Sequence, residues 1–226
     1  MIILENMDMC YGCGACKSVC PKGAISMVAR ADGFLYPEIN DSCIECGACQ
    51  RVCPALNPKY ENDKKPSVWA AMAEDGIREL SASGGVFSVL ASYVLGLGGC
   101  VFGAAFDEGF RSVSHAMAET EEELAPLRRS KYMQSKMGDT YEKVKDALTK
   151  DRYVLFTGTP CQCAALKSYL KRPHEKLFIT PLYLKLTSVG LFPPPISSRK
   201  APKASSEGVP WQIRSIIKSF SWGRFR

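Results

Sequence analysis

Eight of the chain's eleven cysteines fall in two copies of one pattern. The first run is Cys10-x-x-Cys13-x-x-Cys16-x-x-x-Cys20-Pro21, and the second is Cys43-x-x-Cys46-x-x-Cys49-x-x-x-Cys53-Pro54. Thiolates at these intervals suit a cubane [4Fe–4S] cluster, a one-electron carrier. Three cysteines spaced by two residues come from one tight loop wrapped around three irons. The fourth lies too far along the chain to close the same cube, so it is expected to cross to the other run. Cluster one then takes Cys10, Cys13, Cys16 and Cys53. Cluster two takes Cys43, Cys46, Cys49 and Cys20. Gly12, Gly14 and Gly47 let the loops turn sharply and bring backbone N–H groups to the sulfurs. Pro21 and Pro54 stop the local helix and turn the chain toward the other half.

Zinc and disulfides are the rival uses of such cysteines. Zinc sites pair C-x-x-C units across a long gap, so a third cysteine three residues on would be surplus. Disulfides suit a secreted chain, but the opening residues Met1 to Asn6 lack a basic start and a small-residue cleavage site. Oxygen-sensitive clusters and many thiols point instead to a reducing, anaerobic cytoplasm.

The formal charge of +6 is unevenly spread. Residues 1–180 hold 21 Lys+Arg against 22 Asp+Glu, whereas residues 181–226 hold eight basic residues and one acid, Glu207. The basic character belongs to the last stretch and gives no reason to expect nucleic-acid binding by the folded part. The apolar run 86–101 is too short to span a bilayer and is broken by glycines, so no membrane span is expected.

These loops need a scaffold. Residues 24–28 and 33–37 read as short strands over the clusters. Residues 59–66 are polar and end on proline, as a linker does. A strand is expected at 68–72. Apolar residues at 86, 89, 90, 93, 94 and 97 have helical spacing, and the preceding Ser83-Gly84-Gly85 offers free N–H groups at its start. Strands are expected at 100–106, 112–117 and 153–156. Thr120 and Glu123 fit a helix-opening capping box. Tyr141, Val144 and Leu148 mark an amphipathic helix. The strand at 153–156 feeds Thr157-Gly158-Thr159-Pro160-Cys161-Gln162, where Thr159 caps, Pro160 takes the first helical position and Gln162 closes a capping box. A helix starting at the C-terminal end of a strand is where α/β sheets hold ligands and where N–H groups favour phosphate. Two ordinary capped helices would have the same sequence.

Cys161, in the first turn of that helix, is placed to touch a cofactor or to be redox-active. Cys163 and Cys100 read as core residues. His115 and His174 are isolated, and each reads as a satisfied core or surface histidine. The fold class expected is an α+β ferredoxin-like two-cluster domain followed by an incomplete α/β flavin-type domain.

The order of the motifs carries a family resemblance. The double cysteine run is followed by Arg78 to Gly85, by Ser130-Lys131-Tyr132-Met133-Gln134-Ser135, and by Phe156 to Gln162. Together they resemble the coenzyme F-420 hydrogenase/dehydrogenase beta-subunit family over roughly residues 5–180. The resemblance implies an iron–sulfur flavoprotein oxidoreductase subunit. It would bind FAD beside two [4Fe–4S] clusters and pass electrons to or from a deazaflavin or another reducible substrate. By motif, Ser83, Gly84, Gly85, Lys131, Tyr132, Gln134, Ser135, Gly158, Thr159, Pro160, Cys161 and Gln162 would line the flavin region. The alternative is a stand-alone two-cluster carrier without flavin. Either reading implies a redox partner protein or a small-molecule electron donor or acceptor.

The resemblance stops after Thr180. Acids nearly vanish from there, prolines cluster and no helical or strand period persists. The organisation expected is therefore 1–58 two-cluster domain, 59–66 linker, 67–180 α/β domain, and 181–226 an aberrant tail, disordered or out of frame.

Overall fold

A computed structural model describes residues 9–58 and 71–182. The linker at 59–66, most of the strand expected at 68–72 and the tail from residue 183 lie outside the described residues.

The N-terminal part is a duplicated unit. Helix α1 (Ala15–Val19) and helix α2 (Ala48–Val52) each follow a left-handed glycine, Gly14 at φ 73° and Gly47 at φ 69°. Each ends on an extended cysteine, Cys20 or Cys53, whose N–H bonds back to Lys17 or Gln50. Between the helices, β1 (Ile25–Ala29) and β2 (Leu35–Ile39) pair antiparallel, with Ile25 opposite Ile39. Both strands start one or two residues later than the sequence suggests.

The second part is a five-stranded mixed sheet in the order β5-β4-β3-β6-β7. After α3 (Asp75–Glu79) and α4 (Val86–Gly96), β3 (Cys100–Phe106) pairs antiparallel with β4 (Val113–Ala118). A 3-10 helix, Glu122–Leu127, follows. Then come the short strand β5 (Ser135–Lys136), α5 (Thr140–Thr149), β6 (Val154–Gly158), α6 (Pro160–Leu170) and β7 (Leu177–Pro181). Central β6 is buried at every position, which its apolar run requires of a strand covered on both faces. β7 runs one residue past Thr180, and the Leu182 N–H bonds to the Gly158 carbonyl.

Two cores flank the sheet. Val101 and Leu155 face α4 and the 3-10 helix, packing with Ala91, Val94, Leu124 and Leu127. Phe102 and Phe156 face α5 and α6, packing with Tyr141, Val144, Cys163 and Leu166. Cys13, Ala15 and Val52 of the N-terminal unit belong to this second core. The cysteine loops are thus packed directly on the α5/α6 layer.

Two local expectations met different outcomes. At α6 the capping box forms: Thr159 and Gln162 bond reciprocally, with Pro160 at the first helical position. Thr159→Ala should cost about 1 kcal/mol, read by denaturant titration beside a neutral surface variant such as Lys145→Ala. At 120–123 the box is incomplete. The Glu123 carboxylate accepts from the Glu119 N–H rather than from Thr120, and the helix is 3-10 with Pro126 inside it. Proline has no N–H to donate to an α-helical ladder.

Candidate metal centre

Two small hollows open among the cysteine loops. One is lined by Cys10, Cys13, Cys16 and Cys53. The other is lined by Cys20, Cys43, Cys46 and Cys49. Each hollow therefore takes three thiols from one run and the fourth from the other. The two are equal in size. All eleven cysteines are free thiols, so no disulfide closes either hollow. Among the described residues, no three or more His, Cys, Asp or Glu side chains converge on a single-ion site. A zinc ion would draw four sulfurs to about 2.3 Å from one point. Four thiols lining one hollow are the number that a cubane cluster binds.

The loop backbones are shaped for sulfur. Gly12, at φ 61°, aims its N–H at Cys10 Sγ, 3.4 Å away, and the Ala24 N–H lies 3.3 Å from Cys20 Sγ. Such donors stabilise negative charge on cluster sulfurs. Burial pushes the Cys13 and Cys16 thiols up to about 12. A bare thiolate is unfavourable there, and a metal centre supplies the positive charge that makes it favourable.

Residues far along the chain hold the first loop. The Tyr141 hydroxyl, wholly buried, donates to the Cys13 carbonyl at 2.8 Å. Gln134 accepts from the Leu35 N–H at 2.9 Å and donates to the Tyr11 carbonyl at 3.3 Å. Ser18 donates to the Glu142 carboxylate at 3.3 Å. Cys161 Sγ lies 3.0 Å from Thr159 Oγ1. Helical spacing marked Tyr141 as a core position only, and no local signal reveals its reach to Cys13.

The residues assigned to a flavin by motif divide into three groups. Gln134, Ser135 and the stretch from Gly158 to Gln162 come together at the end of the sheet beside the first hollow. There Gln162 donates to Ser135 Oγ at 2.9 Å and accepts from the Thr159 N–H at 2.9 Å. Ser83, Gly84 and Gly85 lie at the start of α4, on the opposite face of the sheet. Their glycines have a packing reason: a Cβ on Gly85 (φ 76°) would stand 2.8 Å from Ala73 Cβ, and one on Gly84 would stand 3.0 Å from the Ala71 carbonyl. The third group is the loop between. Arg128 reaches Ser88 of α4 at 3.2 Å, Lys131 is buried, and Tyr132 is 72% exposed. The Lys131 ammonium donates to the Arg128 and Arg129 carbonyls, and burial pulls it down to about 8. Among the described residues no carboxylate stands within ion-pair distance of it.

His115 departs from the satisfied histidine expected. Its register partner on β3 is Ala104, small enough to let the ring cross to β6. There it stacks on Phe156 at 5.5 Å, and Nε2 donates to the Thr157 carbonyl at 3.0 Å. Nδ1 is buried and has no partner among the described residues. Burial holds the ring's pKa down to about 4 from 6.5. The unfolded chain therefore takes up a proton below pH 6.5 that the folded chain refuses. Stability from this group is full above about pH 6.5 and falls as pH drops through 4, by on the order of 3 kcal/mol. Thermal unfolding of wild type and His115→Gln, compared between pH 7 and pH 5, should show the wild type losing more.

Residues 9–57 match a family described as the 4Fe-4S dicluster domain. No curated protein matches the chain. The N-terminal part is an iron–sulfur domain of ferredoxin type, followed by a mixed α/β sheet. Such a domain carries electrons, which implies a redox partner. No helix among the described residues is long and apolar enough to cross a membrane.

Proposed function

We propose that this chain is the electron-transfer subunit of an iron–sulfur flavoprotein oxidoreductase, holding two [4Fe–4S] clusters and FAD. The observation that carries the proposal is the pair of four-cysteine hollows, one of them beside the end of the α/β sheet. Cys10, Cys13, Cys16 and Cys53 would hold one cluster, and Cys20, Cys43, Cys46 and Cys49 the other. When bound, each cluster supplies one-electron exchange, and FAD supplies conversion between single electrons and a two-electron substrate.

The flavin part rests on the resemblance to the coenzyme F-420 hydrogenase/dehydrogenase beta-subunit family and on two features of this chain. Lys131 is a buried ammonium with no carboxylate of the described residues within ion-pair distance, a combination that favours an anion nearby. The start of α6 offers N–H groups at the C-terminal end of β6. Lys131 and the first turn of α6 would hold the pyrophosphate, and Gln134 and Ser135 would orient the ring system. A cytoplasmic setting and a deazaflavin-type substrate belong to the same reading.

Anaerobic purification of the full chain, with iron, zinc and flavin counted, tests it. About eight irons per chain with stoichiometric FAD are expected. Lys131→Met should then lower FAD retention about tenfold, a loss of about 1.4 kcal/mol, and leave iron unchanged. Eight irons with no FAD taken up from saturating solution would reduce the chain to a flavin-free carrier. Bound zinc in place of iron would overturn both parts.

A further inference from the structure

The two hollows are alike in size and ligand spacing but not in surroundings. Around the first, Cys13, Cys16 and Cys53 are buried, and only Cys10 is partly open. Around the second, only Cys49 is buried, and Cys46 is exposed. Ile44, which borders the second hollow, is 57% exposed. The α/β layer also reaches the two sites differently. Tyr141 donates to Cys13 at 2.8 Å and lies 3.5 Å from the Gln162 carbonyl, so one phenol links the first cysteine loop to the first turn of α6. Gln134 holds Tyr11 and Leu35, and Met137 packs under Gly14. Apart from Leu35 on β2, these N-terminal partners lie in the loop of the first site.

We infer that the two cluster sites are ordered. The Cys20/Cys43/Cys46/Cys49 site is the outward terminal, exchanging electrons with an external partner at the Ile44–Cys46 edge. The Cys10/Cys13/Cys16/Cys53 site is the inward terminal, coupled to the α/β layer through Tyr141 and Gln134. This ordering rests on the cluster reading of both hollows. Tyr141 acts as a positioning residue: its hydroxyl fixes the Cys13 peptide, and with it the dipoles around that site's sulfurs. The duplicated sequence gives no preference between the two sites. The asymmetry comes from what packs on each.

The test uses the anaerobically reconstituted full chain, partly reduced with dithionite. Electron paramagnetic resonance power saturation is recorded with and without a soluble dysprosium chelate, which speeds relaxation of centres near the surface. Cys46→Ser and Cys10→Ser assign the two signals. Cys43→Ser and Cys53→Ser supply a second assignment where either ligand variant fails to hold iron. The signal altered by Cys46→Ser should show a several-fold greater dysprosium effect than the signal altered by Cys10→Ser. Tyr141→Phe should shift the line shape or midpoint potential of the second signal alone. Equal or reversed dysprosium effects, or a Tyr141→Phe shift confined to the Cys46 signal, would overturn the ordering and leave the cluster reading standing. A chain that takes up no cubane iron would remove the cluster reading itself, and the ordering with it.

Discussion

Changing Cys10 and Cys53 together to serine should leave about four irons per chain, whereas changing Cys20 and Cys53 together should leave almost none. Cys10 and Cys53 come from different runs yet line the same hollow. Losing both removes two ligands from one cube and spares the other. Cys20 and Cys53 line different hollows, so their joint loss opens both cubes. If each run closed its own cube, Cys10 with Cys20 would be the pair that spares one cluster, and Cys10 with Cys53 would damage both. The two arrangements exchange the outcomes of the Cys10/Cys53 and Cys10/Cys20 pairs, whereas Cys20/Cys53 opens both cubes in either and serves as the control for full loss. Iron and acid-labile sulfide assays on the three double variants, reconstituted side by side, separate them without reference to any activity. The crossing has a physical source in each half. Cys20 and Cys53 follow their helices in extended conformation, at φ −72° and −69°, so the chain leaves each loop instead of curling back into it.

Gly12→Ala should disable the first site and leave the second intact. Gly12 sits at φ 61°, where an L side chain is strained by roughly 1–3 kcal/mol. An added Cβ would collide with Gln134 Nε2 and stand 2.8 Å from the Leu35 carbonyl. The amide can swing away, but doing so breaks its bonds to Leu35 and Tyr11. The backbone carbonyl can move only if β2 moves with it. Together the strain and the lost bonds should cost about 2–4 kcal/mol and displace the N–H now aimed at Cys10 Sγ. About four of eight irons should remain. Gln134→Ala removes the first clash but not the second. The Gly12→Ala/Gln134→Ala double variant should therefore cost less than the sum of the single changes while still losing the first site. Full iron in Gly12→Ala would show that the loop tolerates a side chain and that Gln134 does not hold it.

The sequence was most informative where structure is set locally. Cysteine intervals fix how many thiols one loop presents, and the chain's reach fixes which one must leave. Thr159, Pro160 and Gln162 determine a helix start within four residues. The apolar run of β6 and the period of α4 and α5 follow from which faces they bury. Contacts between distant residues were not legible. Tyr141 and Cys13 are 128 positions apart, and Gln134 and Leu35 are 99 apart. Nothing near either residue encodes the pairing, because it follows from how the cysteine loops pack on α5 and α6. His115 was misread for a related reason. Whether its second nitrogen finds a donor depends on β6, a strand not adjacent to its own in the sheet. At Thr120 the local capping signal was present, but Pro126, three residues beyond Glu123, turned the element into a 3-10 helix.

The same contrast separates the two parts of the functional reading. The metal centre rests on residues whose spacing and placement agree. The flavin region rests on a motif order whose residues the fold distributes over both faces of one sheet, with Ser83 to Gly85 on the α4 side and Gly158 to Gln162 on the α6 side.

Mössbauer spectroscopy of the full chain, reconstituted anaerobically with isotopically enriched iron and quantified against protein, tests the central claim most directly. Two [4Fe–4S] centres should account for about eight irons per chain, with no mononuclear iron beyond background. A spectrum of mononuclear tetrathiolate iron, or a chain saturated by one or two metal ions, would contradict it.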